Sequence, residues 1–334
     1  MIKVALDAMG GDRAPRVAVE GAAWASLEHD CKIVLVGNER SIKKFLAKTD
    51  YNKDRISIKH APEVIKMSDP AAASVRRKKN SSISIGIEML KEREVDAFVS
   101  AGNTGAVVCA AILKLRTLPG IERAGIGVVF PTLGNPCMML DVGANIDATP
   151  LHLLHYGIMG HAYSKYILGT SEPSVGLLNI GQEESKGTEL IKEARQLFEA
   201  APLNFVGNVE ARDVYSGKVD VVVCDGFIGN VVLKITESFA EASSTFLKRE
   251  LNRRLLPKIG AILSLPAYRA IRKKIDYSEY GGAPLLGVDG RVIISHGASS
   301  AKAVKNAIRT ANVYVKHKIN QHIIEDLKKI KVHG

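Results

Sequence analysis

The chain has 334 residues, of which 46% are hydrophobic, 24% charged and only 5% aromatic, the profile of an aliphatic-cored α/β protein with room for one large domain or two smaller ones. Its 46 Lys and Arg against 35 Asp and Glu leave a net charge of +11, which suits nucleic acid, an anionic membrane or an acidic partner without choosing among them. No apolar run approaches the ~20 residues of a membrane-spanning helix, and the chain opens directly on a strand pattern, so no signal peptide is expected. The four cysteines (Cys31, Cys109, Cys137, Cys224) lie in apolar runs without CxxC spacing and read as reduced core residues of a cytosolic protein.

In chain order, residues 2–6 form a first strand that runs into Asp7-Ala8-Met9-Gly10-Gly11-Asp12, and Pro15 suits the first turn of a following helix. The tandem glycine permits close backbone approach to a phosphate or to another strand, but it is not GxGxxG, and no GxxxxGK[ST] occurs. Strands are expected at 32–37 and 55–60, then a helix from Asp69-Pro70 that ends in Arg76-Arg77-Lys78-Lys79. That basic run reads as a solvated helix end or as a phosphate contact.

Residues 95–100 form a strand that enters Ala101-Gly102-Asn103-Thr104-Gly105-Ala106 and an apolar helix to Leu115. Thr104 is placed either as that helix's N-cap or beside backbone N–H groups that bind an anion. Strands at 125–130 and 137–140 follow, the second ending in Asp141-Val142-Gly143-Ala144-Asn145, with Thr149-Pro150 opening a long helix. A strand at 174–180 leads to Gly181-Gln182-Glu183-Glu184-Ser185-Lys186-Gly187, where Lys186 sits at a helix start as an anion contact or a solvated lysine.

Residues 221–224, Val-Val-Val-Cys, read as a strand buried on both faces, and a helix is expected from about Asn230 to Leu251. Between them Asp225-Gly226-Phe227-Ile228-Gly229-Asn230 is a strand-end loop whose polar groups face the crevice beyond a parallel sheet, or a plain exposed turn. Residues 248–276 are basic and amphipathic. Arg254 and Lys258 alternate with Leu255, Leu256, Ile259, Ile262 and Leu263, and Pro257 and Pro266 divide the segment. It suits an anionic bilayer surface or a dimer interface with a solvated basic face. The chain closes on Asp276-Tyr277-Ser278-Glu279-Tyr280-Gly281-Gly282-Ala283-Pro284-Leu285-Leu286-Gly287, a hairpin about Asp289-Gly290, and His296-Gly297, which opens the last helical region.

These strand-end motifs, in this order and over essentially the whole chain, resemble the phosphate acyltransferase family. Asp7 to Asp12, Ser100 to Ala106, Asp141 to Asn145, Leu178 to Gly181, Cys224 to Asn230, Asp276 to Gly287 and His296-Gly297 carry the resemblance. It implies a single α/β/α domain over residues 1–334 with a mostly parallel sheet, akin to phosphotransacetylases and isocitrate or isopropylmalate dehydrogenases, with residues 248–276 protruding. It also implies transfer of a fatty acyl group from acyl carrier protein to inorganic phosphate, without cofactor or metal. The acyl phosphate would feed a membrane acyltransferase that uses glycerol 3-phosphate, and the enzyme would be a cytoplasmic homodimer peripherally associated with the membrane. Arg13 stands where the family commonly has histidine, and Cys224 where it commonly has threonine.

The implied chemistry suits the residues. Phosphate dianion is already nucleophilic and a thiolate leaves readily, so catalysis reduces to positioning and oxyanion stabilisation. Lys186 and His296 are expected to hold phosphate or the oxyanion, with Asp225 and Asn230 orienting them. Asp7, Gly10, Gly11, Asn103, Thr104, Asp141, Gly143 and Asn145 are expected to line one shared cleft. A phosphotransacetylase using acyl-coenzyme A, a dehydrogenase of the same fold and a nucleic-acid-binding protein are the alternatives. The last has only charge in its favour, since aromatics for stacking are few and no binding motif is present.

Overall fold

The computed structural model describes residues 1–268 and 281–330. Arg269, Arg272, Lys273, Lys274 and residues 276–280 lie outside the described residues, as does the side chain of Leu255.

Short apolar runs rich in Val, Ile and Leu become strands because both of their faces are covered. They are β1 (Ile2–Asp7), β2 (Cys31–Gly37), β3 (Ile56–His60), β4 (Ala97–Ser100), β5 (Gly125–Phe130), β6 (Cys137–Leu140), β7 (Ser174–Leu178), β8 (Asn204–Val209), β9 (Val221–Val223), β10 (Ala283–Leu286) and β11 (Val292–Ile294). They form one sheet in the order β3-β2-β1-β4-β11-β10-β5-β6-β9-β7-β8. Alternate residues of a strand enter different cores, as a period of two requires. Val4 and Leu6 point to one side and Ala5 to the other.

Helices cover both faces. One carries α3 (Ala71–Arg77), α4 (Ser82–Lys91), α5 (Thr104–Leu115) and the start of α8 (Gly226–Arg253). The other carries α1 (Arg16–Glu28), α2 (Glu39–Leu46), α6 (Pro150–Tyr163), α7 (Glu189–Ala200) and the helices Ala301–Lys316 and Ile319–Lys329. The architecture is three-layer α/β/α, as expected.

Strand direction reverses in the middle of the sheet. β1 to β4 and β11 run parallel, β10 is antiparallel to both β11 and β5, and β5 is antiparallel to β6. β6, β9, β7 and β8 then run parallel to one another. The carboxyl ends of the two halves therefore sit at opposite edges of the hydrogen-bonded ladder.

Several boundaries differ from expectation for local reasons. α8 begins at Gly226, four residues before Asn230, because Asp225 caps it and the glycines at its start pack against the loop after β6. It ends at Arg253, with Arg254 extended, and α9 (Leu255–Leu263) follows. The ring of Pro257 would clash with the carbonyl of Arg253 in a continuous helix, so the break falls before the proline. α7 starts at Glu189, which leaves Lys186 in the loop before it.

Phe98 on β4 is fully buried, and α4 lies against its ring at Gly86. Phe98→Ala is expected to cost about 3–5 kcal/mol, read as a lower urea midpoint at unchanged slope.

Candidate active site

At the edge where β1, β4 and β11 end, the chain spends most of its polar groups on holding its own loops. The Asp7 carboxylate is 1% exposed and accepts from Met9 N at 3.0 Å and Ser100 Oγ at 2.7 Å. Burial pushes its carboxyl up, and those bonds pull the other way. Gly10 is required by closeness, since a Cβ there would lie 2.5 Å from both Asp7 Oδ2 and Gly102 N. Gly11 takes φ +98°, and the next residue donates from Asp12 N to Gly297 O at 2.9 Å, joining the first loop to the loop after β11. Arg13 tightens the same junction from its Nη2 to Ser299 O at 3.0 Å, so at this position the guanidinium acts as a brace.

Asn103, and not Thr104, caps α5. Its Oδ1 accepts from Ala106 N at 3.0 Å, while its Nδ2 donates to the carbonyls of Lys66, Met67 and Asp69 at 3.0 to 3.2 Å. No polar atom of Asn103 is left for a ligand. Thr104 is exposed, and the backbone N–H groups of Thr104 and Gly105 have no partner among the described residues, which leaves them aimed outward as helix-start donors. His296 is exposed, and its Nδ1 accepts from Ala298 N at 3.2 Å. In the neutral ring that bond places the proton on Nε2, facing out.

The other edge, where β6, β7 and β9 end, is built around Asp141, which is fully buried. Its two oxygens accept from Ile126 N at 2.9 Å, Gly143 N at 3.0 Å, Ala144 N at 3.0 Å and Asn145 N at 2.8 Å. Burial pushes this carboxyl up as well, opposed by that ring of N–H donors. Asn145 spends its Nδ2 on Ala124 O at 2.6 Å and Tyr156 Oη at 2.9 Å, so only its Oδ1 remains to meet a ligand. Gly226 N donates to Asn145 O at 2.8 Å, which locks the loop against the start of α8.

Asp225 is the N-cap of α8, and both cap bonds, from Phe227 N at 3.0 Å and Ile228 N at 2.9 Å, reach its Oδ1. The first amides of α8 are thereby taken, whereas Oδ2 stays available. Asn230 is exposed one turn later and lies against Gly143, where a Cβ would sit 3.6 Å from its side chain. Lys186 is exposed on the loop after β7. Asn179 holds that loop by donating from Nδ2 to Lys186 O at 3.0 Å and accepting from Ile180 N at 2.8 Å, with Gly187 (φ +94°) close against its amide.

The structure thus brings Asp141, Gly143, Asn145, Asp225 and Asn230 together, and separately Asp7, Gly10, Gly11, Asn103 and His296. Their hydrogen bonds form two networks, one at each edge of the sheet. Sequence reasoning missed Asn179 and Tyr156 as positioning residues. The motif containing Asn179 was visible, but its bond to Lys186 O depends on how the loop folds back. All four cysteines are free, and burial pushes Cys31 up to about 11 and Cys137 to about 12, with Cys109 and Cys224 also raised, which disfavours a thiolate nucleophile.

Among solved structures, this fold is shared with a phosphotransacetylase from Streptococcus pyogenes (TM-score 0.62, 19% identity, 95% of this chain and 94% of that one). A branched-chain phosphotransacylase from Enterococcus faecalis V583 also shares it (TM-score 0.54, 15% identity, 94% and 100%), as does a 4-hydroxythreonine-4-phosphate dehydrogenase from Klebsiella pneumoniae (TM-score 0.54, 13% identity, 94% and 98%). The fold class is that of the phosphotransacetylases. Within it, the chain belongs to the family described as fatty acid synthesis protein, whose model matches residues 2–322. Relatives include the phosphate acyltransferase of Geotalea daltonii, 50% identical over 98% of this chain and 94% of its own length. The phosphate acyltransferase of Alkaliphilus oremlandii is 46% identical over 98% of each chain.

Because the Asp141 carboxylate is consumed by backbone donors, Asp141→Asn turns an amide N–H onto them and is expected to cost at least about 2 kcal/mol of stability, measured by urea unfolding. Unchanged stability with lost turnover would instead place Asp141 against the substrate.

Proposed function

We propose that this protein transfers a long-chain fatty acyl group from acyl carrier protein to inorganic phosphate. The observation that carries the reading is the near-full-length similarity to relatives named phosphate acyltransferase. The exposed groups are consistent with it: Lys186, His296 Nε2–H and the open N–H groups of Thr104 and Gly105 suit an oxyanion.

The reaction balances without a cofactor. A phosphate oxygen attacks the thioester carbon, the C–O bond of the acyl phosphate forms, the C–S bond breaks, and the carrier's thiolate leaves. Phosphate needs little deprotonation near neutral pH and a thiolate of pKa ~8.5 is a good leaving group, so the protein's task is to hold two anions close and to stabilise the tetrahedral oxyanion. In this reading Lys186 and His296 supply that stabilisation. Asp225 Oδ2 and Asn230 orient Lys186, which lies at the same edge of the sheet, and Gly143 and Asn145 Oδ1 shape the wall behind Asn230.

The surface of α8 and α9 supports two further parts of the reading. Ile235, Phe239 and Phe246 on α8 are 63%, 73% and 66% exposed, an apolar face of the kind a second copy of the chain covers in a homodimer. On α9, Leu256, Ile262 and Leu263 are 81%, 70% and 77% exposed, Ile259 is also exposed, and Arg254 and Lys258 flank them. Such a helix suits peripheral contact with an anionic bilayer, where a membrane acyltransferase using glycerol 3-phosphate would consume the acyl phosphate. No described helix is long and apolar enough to cross a membrane.

Acyl phosphate formation from acyl carrier protein thioester and phosphate tests the reaction directly. Lys186→Ala is expected to lower kcat by about 10²-fold or more at unchanged melting temperature, and a rate within a factor of about two of wild type would remove Lys186 from the chemistry. Replacing Leu256, Ile259, Ile262 and Leu263 together by serine is expected to abolish co-sedimentation with vesicles containing phosphatidylglycerol while leaving turnover in solution intact.

A further inference from the structure

A groove of about 740 Å³ runs between α3, α4 and α5 on the face that carries the start of α8. Its apolar lining comes from Val75, Ile85, Met89 and Leu113, the last 53% exposed. Lys59, Arg76 and Lys79 stand around it, exposed and with no ion-pair partner among the described residues. Lys114 and Glu88 also line it but neutralise each other at 2.6 Å. Glu92 and Glu94 lie in the same lining, near the end of α4, so the groove is polarised along its length.

We infer that this groove is the docking surface for an acidic amphipathic helix of the acyl carrier protein. The inference rests on the donor assigned under the proposed function. An apolar trough that is open to solvent fits the apolar stripe of a helix. The unpaired cations meet the acidic face of that helix, and the two glutamates repel it at the other end, so charge sets the direction in which it lies. The groove is tied to the proposed chemistry by α5. Leu113 lies nine residues beyond Thr104, about 14 Å along the helix axis at 1.5 Å per residue, and Thr104 carries the open N–H groups. A carrier's thioester on a flexible prosthetic arm spans such a gap. α3 is tied at both ends: Lys78 at its C-cap pairs with Asp69 ahead of its start at 2.6 Å, and Asn103 clamps the carbonyls of Lys66, Met67 and Asp69.

The test uses the full chain with two donors, acyl carrier protein thioester and acyl-coenzyme A, and compares two double charge reversals. Arg76→Glu with Lys79→Glu alters the groove, and Arg40→Glu with Lys44→Glu makes the same change of net charge on α2. The groove variant is expected to raise KM for acylated carrier protein by about tenfold, to leave the kinetics with acyl-coenzyme A unchanged, and to melt at the wild-type temperature. The α2 variant should leave both donors unaffected. An equal rise in KM from both variants would mean general electrostatic steering and overturn the docking site, as would a groove variant with wild-type KM. Leu113→Asp, which alters the lining by another chemistry, should reproduce the donor-selective loss, and its failure to do so counts against the groove. If the wild-type chain refuses acylated carrier protein but accepts acyl-coenzyme A, the donor assignment itself fails and the docking site with it.

Discussion

The return of the chain to the middle of its own sheet is the constraint on which everything else depends. β10 and β11, near the end of the sequence, fill the space between β4 and β5, pairing Ile294 with Ser100 and Leu285 with Ile126. Without that hairpin the two halves have facing edges with unpaired N–H and C=O groups. With it they become one eleven-stranded sheet. Because β10 enters antiparallel to both neighbours, β5 runs in the same direction as β4 and β11, and the antiparallel β5–β6 pair then reverses the second half and sends its strand-end loops to the opposite edge.

At both edges the chain solves the same problem in the same way. A strand ends in an aspartate whose carboxylate is buried and satisfied by local donors: Asp7 by Met9 N and Ser100 Oγ, and Asp141 by four backbone amides. A buried carboxylate is tolerable only with such partners, and in return it fixes the loop that follows. Glycines at 10, 226 and 229 sit where a Cβ would collide with these aspartates or their loops. Conformational order is thus supplied by buried groups, which leaves Thr104, Lys186, Asn230 and His296 exposed on rigid supports. The proposed catalysis by positioning requires that division, since donors aimed at a developing charge stabilise it most when they need no reorganisation.

The long helix α8 joins the two scales of the molecule. Its first turn is capped by Asp225 and packed against the Asp141 loop, and its far end leads through Arg254 into the exposed apolar face of α9. A continuous helix transmits position rigidly, so α8 links the proposed site at its start to the beginning of the proposed membrane-facing helix α9. The break at Arg254 allows α9 its own direction.

Much of the fold was legible in the residues. Apolar runs of four to six residues ending in Asp-Gly or Asn-containing loops marked β1, β4, β6 and β9, and the basic amphipathic stretch after α8 was visible from its alternation of Leu or Ile with Arg or Lys. Less legible were β8 and α2, where exposed polar positions dilute the pattern, and the start of α8, where glycine suggested a loop although an aspartate cap made it a helix. Residue identity also marked Lys186, Asp225, Asn230 and His296 as candidates, because lysine, histidine and carboxamide at strand ends are the groups that handle anions. Which polar atoms of such groups stay free depends on their partners. Asn103 and Asn145 have the same side chain, yet Asn103 has every polar atom engaged while Asn145 keeps one free oxygen. The sequence by itself determined which elements form and which residue types stand at their ends, because periodicity and capping are local. Only the tertiary structure decided which loops meet and which polar atoms stay free. Those depend on strand direction and on hydrogen bonds between residues far apart in the chain.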